Sequence, residues 1–258
     1  MTTIRENQKE NAAGAPRQAF SAERIRSLAP TATLLVLYAV AVIAAPGYLA
    51  TAQIGSLLQQ AAILGIVAIG QTLVILVGGI DLSVGAVVTL ANLAAGAIIN
   101  GSDQNLPTAI VMALAIGLVI GLVNGVVIAL LKVPDLVATL ASMTVVTGVG
   151  YIVTNGSPRG SSSASLNAFV TERYLGILSS AVVLWIVLAG VTIVLLRTTA
   201  SGRRVYAVGL SREASRFASI SSTKVVIALY MLSGLTASLA GLLLTGYTGS
   251  SFLGSGES

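Results

Sequence analysis

Seven mostly apolar stretches follow one another along this chain, each long enough to be read as a membrane span. A run of about 20 such residues reaches across a hydrocarbon core of about 30 Å only if a helix satisfies its backbone internally. The stretches run from Ala29 to Ala45, Ile54 to Val77, Val84 to Asn100, Leu106 to Leu131, Leu136 to Thr154, Ser179 to Leu196 and Val225 to Tyr247. Turn formers punctuate them: PGYLATAQ after the first, NGSDQNLP after the third, KVPD after the fourth. The expected fold class is therefore all-α, a polytopic transmembrane helical bundle. Composition agrees, since only 9% of the residues are charged and 55% are hydrophobic, whereas soluble domains carry about 25% charge.

Positive charge sets the expected orientation. The polar leader, residues 1–28, holds Arg5, Lys9, Arg17, Arg24 and Arg26. The segment 197–224 adds Arg197, Arg203, Arg204, Arg212, Arg216 and Lys224 against the single acid Glu213. Both belong in the cytosol by the positive-inside rule. Counting spans from a cytosolic N-terminus gives the same side to Lys132 and to the 197–224 loop, and the opposite side to the NGSPRGSSSASLNAFVTERYLG loop and the tail after Tyr247. Residues 29–258 thus form the transmembrane domain. The length of the leader and Pro46 after the small-residue stretch argue for an uncleaved first helix over a signal peptide. A net charge of +5 and a pI near 9.8 follow from this asymmetry and call for no nucleic acid.

Cysteine and histidine are both absent. Thiol and imidazole catalysis and the usual zinc ligand sets go with them, so the chain is not expected to be an enzyme or to hold a metal. Asp81, in GGIDLSVGA, is the only carboxylate close to the middle of an apolar stretch. Intramembrane acids bind protons or cations in secondary transporters, and an ion-coupled transporter centred on Asp81 is one reading. The other is structural: Asp81 or Ser83 caps the next helix while Gly78 and Gly79 turn the chain at the cytosolic end of a hairpin. Gln71, Asn92 and Asn124 are uncharged polar groups within spans, able to line a path or to bond a neighbouring helix. Gly117, Gly121 and Gly125 share one face of the fourth span, and Ser233, Ala237 and Gly241 one face of the seventh. Such faces let helices approach closely, within the subunit or between subunits.

The 197–224 loop contains a short potential helix from Arg212 to Ile220. Ala214, Phe217 and Ala218 fall on one face of it, suited to a groove on a partner or to an anionic lipid surface. No G-x-x-x-x-G-K-[ST] pattern occurs, so any ATP that drives this protein is bound by another polypeptide.

The run AAILGIVAIGQTLVILVGGIDLSVGAVVTLANLAAG, the segment GLVNGVVIALLKVPDLVATLASM, and SGRRVYAVGLSREASRFASI followed by YMLSGLTASLAGLLLTGY resemble the ribose-type permeases of bacterial ABC sugar importers. The resemblance covers about Gln53 to Tyr247. It implies a multi-pass permease subunit of the cytoplasmic membrane, working with a second permease copy and an extracytoplasmic solute-binding protein. ATP and Mg would lie on a separate ABC ATPase subunit. It further implies that the Glu213 to Ile220 helix couples to that ATPase, with Glu213, Ala214 and Phe217 in contact and Gly202 and Arg203 shaping the approach. The family commonly has Gly where this chain has Ser219. Members usually continue past the equivalent of GSSFLGSGES with about three further helices, so this chain is expected to be a fragment, a truncated frame, half of a split gene or a naturally short permease. The residues that contact solute are not implied.

Overall fold

The computed structural model of the protein describes residues 17–174, 176–251, 254 and 256. Residues 1–16 of the expected polar leader, with Arg5 and Lys9, lie outside them, as do the side chains of 17–28, Pro46, Tyr48 and Arg216. The chain divides into two units, Met1–Ile54 and Gly55–Ser258. In the first, helix α1 covers Arg17–Ala44 and a 3-10 turn covers Pro46–Leu49. The helix therefore begins well before Ala29, the expected start of the span. Pro30 lies inside it, and Leu34, Leu35, Val36, Leu37 and Ile43 are exposed.

The remaining helices are α2 (Thr51–Leu76), α3 (Val84–Ile99), α4 (Leu106–Ala129), α5 (Asp135–Thr154), α6 (Ala164–Thr171), α7 (Ser180–Thr198), α8 (Ala200–Leu210), α9 (Arg212–Phe217) and α10 (Ser222–Thr248). A two-stranded hairpin pairs β1 (Arg173–Tyr174) with β2 (Leu178–Ser179). Among the described residues five helical segments are long and apolar enough to cross a membrane, and Ala29–Ala44 and Val84–Ile99 are shorter apolar stretches. Among these residues the seven expected spans thus correspond to five full-length helices, the shorter α3 and the described apolar part of α1. Helix α3, with 16 residues, spans about 24 Å at 1.5 Å per residue, less than the hydrocarbon core. It is short because seven residues of irregular chain, 77–83, precede it, and because Asn100 closes it in the left-handed conformation at φ 41°.

Helix α3 is nonetheless the most enclosed of the long elements, with Val87, Ala91, Asn92, Ala95 and Ile99 all nearly inaccessible. The closest packing is α4 against α10. A Cβ on Gly117 would strike the Gly234 carbonyl, and one on Gly234 would strike Gly117. A Cβ on Gly121 would come to 2.8 Å from the Met231 Cα, and one on Gly125 to 2.8 Å from the Ile227 Cα. Gly241 turns to a different neighbour, with Val88 and Ala91 of α3 against it. Both small-residue stripes thus seat helices of one subunit backbone to backbone. Between lipid-embedded helices there is no hydrophobic gain to drive association, and this proximity supplies dispersion contacts instead. In contrast, α7 buries only Ala181 and Val182 fully.

Hydrogen bonds gather the loops into two groups. Gly101 and Ser162 bond the Ser161 and Gly249 carbonyls respectively, Asn167 donates to the Gly246 carbonyl, and Ser165 N–H donates to Asp103. The turns after α3, α5 and α10 therefore meet at one end, as the span count requires. At the other end lie 77–83, 132–135 and 211–222. Two loops hold more structure than expected: α6 and the hairpin in the first group, and α8 in the 197–224 segment. Val205 and Val208 of α8 are buried, at a helical spacing that the surrounding small and basic residues obscure.

Replacing Gly121 by Leu is expected to lower the stability of the detergent-solubilised protein by about 1–3 kcal/mol or more, because the new side chain meets backbone. Gly190 on α7 has nothing within 4 Å of its Cβ position, so Gly190→Ala is expected to leave the melting temperature unchanged or raise it slightly.

Candidate functional site

The chain leaves α2 through a Schellman turn. Gly78 adopts φ +74°, its N–H reaches the Ile75 carbonyl, and Gly79 N–H reaches back to the Val74 carbonyl. Only glycine adopts that backbone without strain. The next residues carry the chain from this turn into α3, with their exposure alternating along the segment. Asp81 is 3% exposed and Ser83 is 1% exposed, and the 80–83 segment inserts its polar side chains among α4, α5 and α10.

Serines surround the Asp81 carboxylate. Its Oδ1 accepts from the Ser83 hydroxyl at 2.6 Å and the Ser83 N–H at 3.0 Å, and its Oδ2 accepts from the Ser233 hydroxyl at 2.8 Å. Ser83 Oγ in turn accepts from Asn124 Nδ2 at 2.9 Å, and Asn124 Oδ1 accepts from Ser142. A continuous relay thus joins α5, α4, the loop and α10. Asp81 does cap the chain entering α3, through Ser83 N–H. Ser83 makes no side-chain cap bond of its own, which corrects the alternative in which Ser83 caps α3.

The loop's backbone is held just as fully. Gln71 Nε2 donates to the Asp81 carbonyl. Ile80 N–H donates to Asp135 Oδ2 at 2.7 Å, and the Ile80 carbonyl accepts from the Tyr230 hydroxyl at 3.1 Å. Arg212 of α9 reaches the Val77 carbonyl at 3.4 Å. Two apolar clusters flank this polar layer: one includes Ile66, Val87 and Ala237, the other Leu73, Ile128 and Tyr230. Gln71, Asn124 and Ser233 fall between the clusters along their own helices. An irregular backbone between buried helices is stable only when satisfied in this way.

Asn92 stands apart from the layer. Its Nδ2 donates to Thr245 Oγ1 at 2.9 Å, which ties α3 to α10. Tyr230, Ser142, Asp135 and Arg212 join the site although the sequence reading does not mark them as members. Tyr230 and Ser233 are three apart on α10, and that spacing is the available signal. Among the described residues no group of three or more His, Cys, Asp or Glu is placed to hold a metal ion.

The same end carries the second candidate surface. Helix α9 stops at Phe217, three residues before the expected Ile220, and Ala218 lies in the turn beyond it. The cause is Ser219, which takes φ +56° while Ile220 N–H closes on the Ser215 carbonyl. Phe217 is 90% exposed, and Glu213, Ala214 and Ala218 are exposed beside it. Gly202 is buried, its Cβ position blocked by the Leu196 backbone, whereas Arg203 is exposed. A groove of about 620 Å³ opens between the two candidate surfaces, lined in part by Gly78, Lys132, Asp135, Arg212 and Glu213.

In a double-mutant cycle of Asp81→Ala and Ser233→Ala, thermal unfolding should give a coupling of about 0.5–3 kcal/mol, because the first change strands the donor that the second removes. Ser219→Gly should raise stability by about 1 kcal/mol by relieving the left-handed serine.

Residues 53–256 match the family described as a branched-chain amino acid transport system permease component. The ribose import permease protein of Bacillus subtilis is 40% identical over 238 residues, 91% of this chain and 73% of the relative. The ribose import permease protein of Escherichia coli K12 is 36% identical, over 81% of this chain and 66% of its own length. The fructose import permease protein of Rhizobium meliloti is 33% identical, over 75% and 56%. The chain thus spans between about half and three quarters of these relatives. No solved structure matches it significantly. The match over residues 53–256 and the identity to these relatives show that the chain, a multi-pass protein of the cytoplasmic membrane, belongs to the ribose-type family of ABC import permeases.

Proposed function

We propose that this chain is the membrane permease subunit of an ATP-driven importer for a monosaccharide. In this reading it works with a second permease copy, an ABC ATPase that carries ATP and Mg, and an extracytoplasmic solute-binding protein. The relatives named for ribose and fructose import support a sugar over the amino acid in the family's description. The basic 197–224 segment supports a cytosolic side for α8 and α9, with the leader on the same side and α6 with the β1–β2 hairpin facing the binding protein.

One observation carries the coupling role: α9 presents an exposed Phe217 outward while its own Arg212 is bonded inward to the Val77 carbonyl. A hydrophobic side chain that exposed on a six-residue helix has little reason to be there without a partner groove. Glu213 and Ala214 extend the contact, and Gly202 lets α8 approach the end of α7, holding Arg203 at the rim. Closure of the ATPase dimer would then push α9 as a rigid body. The push reaches the 77–83 loop through Arg212, and the loop hands it to α2, α4, α5 and α10 through Gln71, Ser83, Asp135, Tyr230 and Ser233. In this scheme Asp81, with Ser83 and Asn124, is a gating element at the cytosolic end of the path. The serine donors already around Asp81 leave an ion-coupled role without a specific observation in its favour.

Co-expressed with its ABC ATPase, the protein should retain the ATPase through affinity purification. Phe217→Asp should weaken that association about 30-fold or more, as loss of an aromatic anchor does, with membrane insertion unchanged. Undiminished association of the variant would overturn the assigned contact.

A further inference from the structure

A second groove, of about 550 Å³, lies between α2, α7, α8 and α10. Its walls are apolar, formed by residues such as Leu73, Leu188, Val191, Leu195 and Leu232. Helix α7, which supplies one wall, is the least buried of the full-length spans among the described residues. The mouth of the groove is different in character. Arg204 and Lys224 are the only charged residues in the lining, and both are cations. They stand near the N-terminal ends of α8 and α10, where Ser201, Gly202 and Val225 also line the groove. Those two helix ends add partial positive charge to the two cations.

We propose that this groove binds an anionic phospholipid, with an acyl chain along the α7 and α10 wall and the phosphate headgroup between Arg204 and Lys224. The charge pattern selects this occupant. A zwitterionic lipid could fill the apolar wall equally well, but only a net negative headgroup answers two cations and two helix N-termini with no acid in the lining. A neighbouring protein helix would fill the apolar wall but would answer the two cations only by bringing acids of its own. The cytoplasmic leaflet is specified only through the orientation proposed above. The binding itself needs neither that orientation nor transport.

The test is native mass spectrometry of the purified full chain titrated with phosphatidylglycerol or phosphatidylcholine of matched acyl chains. Phosphatidylglycerol should bind about 30-fold more tightly, at about five-fold per cation. The double variant Arg204→Gln with Lys224→Gln should bring it to the phosphatidylcholine level, whereas Lys132→Gln, at the same end but outside this groove, should keep the preference. Retained phosphatidylcholine binding by the double variant shows that it is folded. Equal binding of the two lipids by the wild type, or a preference that survives the double variant, overturns the proposal. So does a photocrosslinker at Leu195 that captures protein instead of lipid in membranes. Because no ATPase or sugar is present, failure here leaves the import reading standing, and failure of ATPase association leaves this one standing.

Discussion

The bonds that hold the 77–83 segment against the bundle, with Asp81 and Ser83 buried in it, are the constraint on which this structure depends. A membrane-embedded chain can leave helical geometry only if each freed polar group finds a partner within the protein. Here the Asp81 carboxylate, the Ile80 amide and carbonyl and the Val77 carbonyl are met by side chains from α5, α9 and α10. Each interhelical bond is worth only about 0.6 kcal/mol on average in a membrane protein. Their number, and the cost of stranding any one of them, make the loop a junction that fixes the relative placement of α2, α4, α5 and α10.

Close backbone packing makes that junction geometrically possible. The glycines of α4 let α10 approach so nearly that Asn124 and Ser233 face the same small volume, and Gly70 of α2 admits the Ser233 backbone from the other side. A bulkier residue at any of these positions would separate the donors from the carboxylate by more than a hydrogen bond tolerates. The polar layer and the small-residue stripes are therefore one device. The stripes set the distance, and the layer sets the register.

Much of this is legible in the chain. The number and order of apolar segments, the grouping of their connecting loops at two ends and the close approach of α4 follow from hydropathy, charge and glycine spacing. Residue periodicity cannot reveal that GGIDLS turns inward. A Gly-Gly-x-Asp-x-Ser stretch is equally good as a surface hairpin, and the difference lies in partners distant in sequence, such as Ser233, 152 residues away. The same limit explains Tyr230 and Asp135, whose roles depend on where α5 and α10 come to rest. Helix α8 is hard to see in the sequence because two arginines and several small residues mask its Val205 and Val208 face. The early end of α9 is not legible, because Ser219 does not announce the left-handed backbone that it adopts.

That the 77–83 segment is a bonded junction and not a loosely held turn is tested most directly by hydrogen exchange of its amides in the solubilised protein. The amides of Gly78, Gly79, Ile80 and Ser83 all have acceptors, so the segment should exchange as slowly as the adjoining first turn of α3 and lose that protection in Asp135→Ala. Exchange as fast as in an unstructured peptide, unaltered by that substitution, would contradict the account.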